Sequence, residues 1–248
     1  MKKLLVLIIS IFAICQLFAQ ELTVDEILSK NLKAIGQDKL MNAQTIKLEG
    51  KMTQQGIDIQ ITQYQKKPDK IRMDMEVQGM NVIMAIDGET GWSINPMMGS
   101  TEAVDLPAET IASLEKEGRS DPTASWDNPF VTWKENGTTV ELVGKEDING
   151  SSAYNLKFTY KDNDVVNYFV DTDSFFLLKT KSTEAVQGQT FEREIKFSEY
   201  RETEGILFPV KIEILINGQV QQVFTMDKCE FDMPIDDSIF KKPVPAMN

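Results

Sequence analysis

The sequence predicts a mainly β protein of the α+β class. Its strongly curved antiparallel sheet forms an incomplete barrel, and an N-terminal helix and a mid-chain helical insertion cover the concave face. Three observations carry this. From Thr45 onward apolar and polar residues alternate with period two in short runs. The runs are joined by tight turn signals such as Asn217-Gly218, which make neighbouring strands antiparallel. About twelve such strands in succession cannot stay flat and must curl.

The first residues read as an export signal. Met1-Lys2-Lys3 is a positive start, Leu4 to Ile14 is apolar apart from Ser10, and Leu17-Phe18-Ala19 ends on a small residue. Residues 1–19 are therefore expected to be a cleavable signal peptide, cut near Ala19-Gln20. The apolar run is about eleven residues, against roughly twenty for a membrane-spanning helix. Cys15 follows Ile14 rather than a small residue, which argues against a lipid-bearing cysteine. Residues 20–248 show no fixed repeat and no Gly-, Pro- or Ser-rich linker, and read as a single domain.

Thr23 and Glu26 form a capping-box pattern, and Val24, Ile27, Leu28, Leu32 and Ile35 share one helical face, with Gly36 beyond its end. Ile46, Leu48 and Met52 then alternate with Lys47, Glu49 and Lys51, and Ile57, Ile59 and Ile61 return after Gln55-Gly56. Ile71, Met73, Met75 and Val77 alternate with Arg72, Asp74 and Glu76. Val82, Met84 and Ile86 follow Gln78-Gly79, and Trp92 to Ile94 follow Asp87-Gly88. The pattern breaks at Leu106. Pro107, Ile111, Leu114 and Gly118 give a short helix, Asp121-Pro122 a further turn carrying Trp126, and Pro129 to Trp133 complete an insertion suited to a lid or plug. Strands resume over 138–144, 152–160, 164–171, 175–182, 190–199, 207–216 and 219–230. The tail from Pro234 holds three prolines and is expected to lie along the outside.

Composition removes whole classes of function. The net charge is −12 and two of the lysines fall in the leader. Such a chain suits neither nucleic acid, which needs a basic face, nor attachment to anionic lipid. There is no histidine, so Ser-His-Asp, Cys-His and His-ligated metal chemistry are excluded, and neither a metal nor a cofactor is expected. Beyond the leader only Cys229 remains, which leaves no internal disulfide. The closest acidic pairs, Asp236-Asp237, Asp171 with Asp173, and Glu115 with Glu117, fall in turns or on a helix surface, so the chain reads as non-catalytic.

Residues 71–94 are rich in methionine. Met73, Met75 and Met84 lie on strands and Met80, Met97 and Met98 in adjoining turns. Methionine is a common core filler, and it also suits surfaces that adapt to apolar ligands. Periodicity alone leaves both a filled core and an apolar cavity open. On the cavity reading its walls are Ile71, Met73, Met75, Val82, Met84, Trp92 and Ile94.

The run Lys66-Lys67-Pro68-Asp69-Lys70-Ile71-Arg72-Met73-Asp74, followed by Ala85-Ile86-Asp87-Gly88-Glu89-Thr90-Gly91-Trp92-Ser93-Ile94-Asn95-Pro96, resembles the outer-membrane lipoprotein-sorting, LolA-like family of periplasmic lipoprotein carriers. The order and spacing of the basic residue and Pro, the Asp-Gly turn, Trp and Asn-Pro match over about thirty residues. The resemblance implies an incomplete curved barrel with a helical lid, a soluble periplasmic monomer, and carriage of lipoprotein acyl chains or another lipid from an inner-membrane transporter to an outer-membrane acceptor. It also implies lid closure through the position of Lys67, where the family has an arginine, with Arg72 beside it. Lys keeps the charge but lacks the planar fork of donors. A non-catalytic sensing or scaffold module on the same fold is the alternative use.

Overall fold

The computed structural model describes residues 21–244 apart from 125, 127 and 187. The expected leader, its cleavage point and Cys15 lie outside the described residues. Among the described residues no helix is long and apolar enough to cross a membrane.

Helix α1 (Val24–Ala34) begins as its sequence dictates. The Glu26 carboxylate accepts from the Thr23 N–H at 2.8 Å, and the Thr23 hydroxyl accepts from the Glu26 N–H at 3.3 Å. The backbone hydrogen bond from Thr23, then that from its hydroxyl, holds the Glu26 carboxyl below its ordinary range. Ile27 and Leu28 are buried, with Val24 and Leu32 packed beside them. A second helix that the period did not announce, α2 (Gln37–Asn42), follows at once.

Thirteen antiparallel strands form one sheet: β1 (Thr45–Gln54), β2 (Ile57–Lys66), β3 (Lys70–Val77), β4 (Met80–Asp87), β5 (Thr90–Asn95), β6 (Ser100–Asp105), β7 (Thr139–Ile148), β8 (Ser151–Thr159), β9 (Val165–Asp171), β10 (Leu177–Val186), β11 (Gln189–Thr203), β12 (Ile206–Ile216) and β13 (Gln219–Phe231). Their order is β6-β5-β4-β3-β2-β1-β13-β12-β11-β10-β9-β8-β7, so the sheet is not closed into a barrel. The expected twelve strands become thirteen through β6. Its sequence Ser-Thr-Glu-Ala-Val-Asp has no clear apolar face, and as an edge it needs only β5 as partner. The insertion supplies α3 (Ala108–Gly118) and α4 (Pro129–Thr132).

The corner between α1 and α2 sets how the helices sit. Gly36 has φ 72°, and a Cβ built there would lie 2.2 Å from the Gly205 carbonyl oxygen in the β11–β12 turn. Replacing Gly36 with Ala is expected to cost about 2–4 kcal/mol, combining left-handed strain with overpacking against backbone. Urea unfolding checks it: an unchanged midpoint would show that the corner yields freely.

Two apolar clusters fill the concave side. Phe130 of α4 packs with Tyr154, Leu156, Phe158, Tyr168 and Ile195 among others, beneath α1. The Phe158 and Tyr168 rings meet edge-on at 4.6 Å, and Phe130 approaches Tyr168 at 5.0 Å. Under α2 lie Leu40, Ala43, Ile46, Phe208, Val210, Met226 and Phe231.

The convex side is covered too, by the tail, as the prolines suggested. The Met233 carbonyl accepts from the Thr45 hydroxyl, the Ile235 carbonyl from Lys66 Nζ, and the Ile239 carbonyl from Arg72 Nη1, each at 2.7 Å. Phe240 is buried there.

Candidate binding surface

Strand register decides which predicted residues share a face. Met73 pairs with Met84, Met75 with Val82 and Ile71 with Ile86, while Ala85 pairs with Arg72 on one side and Trp92 on the other. Across β2, β1 and β13 the methionine face continues through Ile61 to Gly50 and Met226, and through Ile59 to Met52 and Phe224. Met226 belongs to the cluster under α2, so Ile71, Met73, Met75, Val82 and Met84 are on the concave face.

Trp92 and Ile94 are not. They alternate onto the convex face with Ala85 and Ile83. The Trp92 indole N–H donates to the Phe240 carbonyl at 2.7 Å, beneath the tail. Arg72, expected beside the lid, stands on the same convex face: it binds Asp74 at 2.7 Å, donates to Ile239 and lies 5.8 Å from the Trp92 ring. The reason is that both faces of β4 and β5 are covered, so the run Val82-Ile83-Met84-Ala85-Ile86 is apolar throughout and alternation does not label its sides. Lys67 does reach the helical side. Its ammonium donates to the Met41 carbonyl at the end of α2 and lies 5.5 Å from the Trp126 ring, whose N–H donates to the Leu40 carbonyl at 3.0 Å.

The concave apolar face is incompletely covered. Val82, Ile59 and Ile61 are buried, but Met52, Met73, Met75, Met84 and Phe224 are only half-buried, and Ile71 is 37% exposed at the rim. Over this face runs α3. At its start the Leu106 N–H donates to the Gly91 carbonyl in β5 at 2.8 Å. At its end the carbonyls of Arg119 and Ser120 accept from the hydroxyls of Tyr168 in β9 (2.5 Å) and Thr180 in β10 (2.7 Å). Eleven helical residues span about 16 Å, so the curl of the sheet brings these distant strands within one short helix of each other. Most of α3 is exposed, with Ile111 its buried anchor.

Two hollows border the helices, and neither is lined by any of the predicted cavity residues. One, of about 30 Å³, is a partly open hollow between α1, α2, β12 and the side chains of Pro122, Thr123, Asn128 and Phe130. It has room for about one water-sized group, not for an acyl chain. The other, of about 560 Å³, is a surface groove between α1 and α4 lined by Leu32, Val131 and Trp133 and flanked by the Asp25–Lys134 pair.

Where α3 ends, Asp121 turns inward. Its Oδ1 accepts from the Thr123 N–H at 3.1 Å and from the Thr123 hydroxyl. Burial pushes its carboxyl pKa up, against the Thr123 hydrogen bonds and the Arg193 charge. A carboxyl whose folded pKa lies above its unfolded value favours folding most at pH below the unfolded value, and that contribution is lost as pH rises through the folded one. Replacing Asp121 with Asn, which keeps the acceptor for Thr123, is thus expected to stabilise the protein more at pH 8 than at pH 5. Thermal melts of both proteins at the two pH values check this; a larger gain at pH 5 would reverse the reasoning.

The acidic pairs are engaged otherwise. Hydrogen bonds from Ser238 lower the Asp236 carboxyl, and the hydrogen bond and charge of Lys66 lower Asp237. Burial acts to raise Asp171, but donors at Ser174 and Asp173 outweigh it and lower it. Glu115 and Glu117 are exposed on α3. Among the described residues no group of three or more Cys, Asp or Glu is placed to hold a metal.

Residues 132–244 match a family model described only as that of an uncharacterized protein. No curated protein matches the chain in sequence. Solved structures do share its fold. An outer membrane lipoprotein-sorting protein domain from Vibrio parahaemolyticus superposes with a TM-score of 0.58 at 10% identity, over 89% of this chain and 98% of that one. A LolA superfamily protein from Nitrosomonas europaea gives 0.56 at 15% identity, over 90% and 99%. A DUF1329 family protein from Desulfovibrio piger gives 0.57 at 14% identity, over 87% and 97%. At these identities the likeness is one of fold, and it is the fold implied by the motif between Lys66 and Pro96.

Proposed function

We propose that this chain is a periplasmic carrier that shields the acyl chains of a lipoprotein, or of another lipid, against its concave face and moves them from an inner-membrane transporter toward an outer-membrane acceptor. The observation that carries the reading is the half-buried methionine strip of β1, β3 and β4, bridged by an exposed helix held mainly at its two ends. An apolar strip left partly open is costly unless something covers it: each methylene removed from water is worth about 0.8 kcal/mol. Methionine side chains re-pack around varied chains, and a carrier needs an adaptable wall to release as well as to hold. The interior beneath α2 is nearly full, so loading requires α3 to lift from its anchors at Arg119 and Ser120. The proposed wall is Met73, Met75, Val82 and Met84 with Ile71 at the rim; Trp92 and Ile94 serve the convex side.

Native mass spectrometry of the protein purified from its own envelope tests this. Copurified acylated species that leave when the protein meets acceptor vesicles are the expected result. A mass equal to the bare chain, together with one stable protein partner, would favour the sensing or scaffold module instead.

A further inference from the structure

Beside the hollow beneath α2 is a buried donor with nothing to bind. Gln37 is 3% exposed, lines the hollow, and its Nε2 has no acceptor among the described residues. The orientation of that amide is fixed by a chain of contacts. Asn128 caps α4, its Oδ1 accepting from the Phe130 N–H at 2.9 Å. Its Nδ2 must then be the donor toward Gln37, and the Gln37 Oε1 accepts it at 3.3 Å. That leaves the Nε2 as the free end. Leaving a buried amide N–H unpaired is unfavourable, and such groups are rare in folded proteins.

The surroundings define what would satisfy it. The hollow lies on the seam between the two apolar clusters, with Phe130 and Leu177 on one side and Leu40, Ile206 and Phe208 on the other. No Lys or Arg lines it, so a carboxylate or phosphate would be desolvated there without a counter-charge. A neutral acceptor attached to an apolar body meets both conditions. At about 30 Å³ the space suits a carbonyl group and no more.

We infer that this hollow is a recognition site for the ester or amide carbonyl at the root of an acyl chain, with Gln37 Nε2 as its hydrogen-bond donor. The inference rests on the proposed lipid-binding function and deepens it. The alkyl part leaves the hollow, which has no room for it, toward the methionine wall of the concave face. The carbonyls of Leu40 and Met41 in α2, which borders the hollow, accept from Trp126 and Lys67. The carrier then distinguishes an acylated molecule from a merely greasy one.

Two probes separate the possibilities: 1-palmitoyl lysophosphatidylcholine and its 1-O-hexadecyl ether analogue, which lacks the carbonyl, each titrated below its micelle concentration against a displaceable fluorescent apolar dye. The unaltered protein is expected to bind the ester roughly three- to tenfold more tightly, the value of one net hydrogen bond. Gln37→Met, of similar length and without the amide, is expected to bind both at the affinity of the ether. Equal binding of both probes by the unaltered protein would mean that Gln37 is served by an ordered water only, and would overturn the inference while leaving the lipid reading intact. A Gln37→Met variant that kept the ester preference would place the donor elsewhere and overturn it equally. If neither probe bound, the lipid-binding reading itself would fall. The comparison of ester with ether on the unaltered protein does not depend on how well the variant folds.

Discussion

Replacing Trp92 with Ala is expected to lower stability by about 3–5 kcal/mol, the usual cost of deleting a buried aromatic, while leaving lipid affinity within about twofold. The indole is 4% exposed, sits in register with Ala85 and Arg72, and donates to the Phe240 carbonyl. Its loss opens a cavity on the convex side and removes the donor that fixes the end of the tail, so Phe240, itself 1% exposed, loses its seat. A chain of this size shifts its melting point by roughly 2–4 °C per kcal/mol. The variant should therefore melt about 10 °C lower and yield earlier to proteolysis in residues 233–244. Binding measured well below the melting point would be nearly unchanged. A variant of full stability that no longer bound lipid would return Trp92 to the ligand-facing side.

The opposite pattern is expected for Met73→Glu combined with Met84→Lys. These residues face each other across β3 and β4 on the concave side and are half-buried. Opposite charges directly across two strands attract, so the sheet should lose little, about 1 kcal/mol. An acyl chain meeting that pair loses two apolar partners and must strip water from two charges. With about 1.5–3 kcal/mol for each buried Met side chain, affinity should fall on the order of a hundredfold. Circular dichroism and a melting curve close to those of the parent, together with unaltered binding of a palmitoyl probe, would remove these residues from the proposed wall.

The two variants mark what a sequence can and cannot disclose here. Strand positions and turns were legible because most strands alternate and most hairpins are punctuated. Gln55-Gly56, Gln78-Gly79, Asn149-Gly150, Glu204-Gly205 and Asn217-Gly218 all take the paired positive φ angles of tight hairpin turns. The insertion was legible as an interruption, and its role over the mouth followed from the lack of other covering material. The sides of β4 and β5 were not legible. A tail more than a hundred residues away in sequence covers the convex surface there, so Ile83, Ala85 and Trp92 are as apolar as Val82 and Met84. Glu199 hides another reversal: its φ of 57° breaks the alternation of β11 and leaves Tyr200 packed on the concave cluster. Gln37 was invisible for a different reason. Between Gly36 and Asp38 it reads as surface, and only the fold of α2 onto β12 buries it.

An unclosed sheet has a consequence for how the molecule behaves among its neighbours. The outer rows of β6 and β7 offer backbone donors and acceptors to any passing strand, the arrangement from which aggregates grow. Both borders are guarded by their side chains. β6 carries Glu102 and Asp105 within six residues, and β7 carries Glu141, Lys145, Glu146 and Asp147 with a register break between Leu142 and Gly144 that leaves Val143 55% exposed on the bulge. A second copy approaching edge to edge would meet like charge and a mismatched ladder. The acidity of the chain thus also insulates the two open borders of the sheet. That lets the protein keep the curved shape of a barrel without the seam that would prevent it from opening.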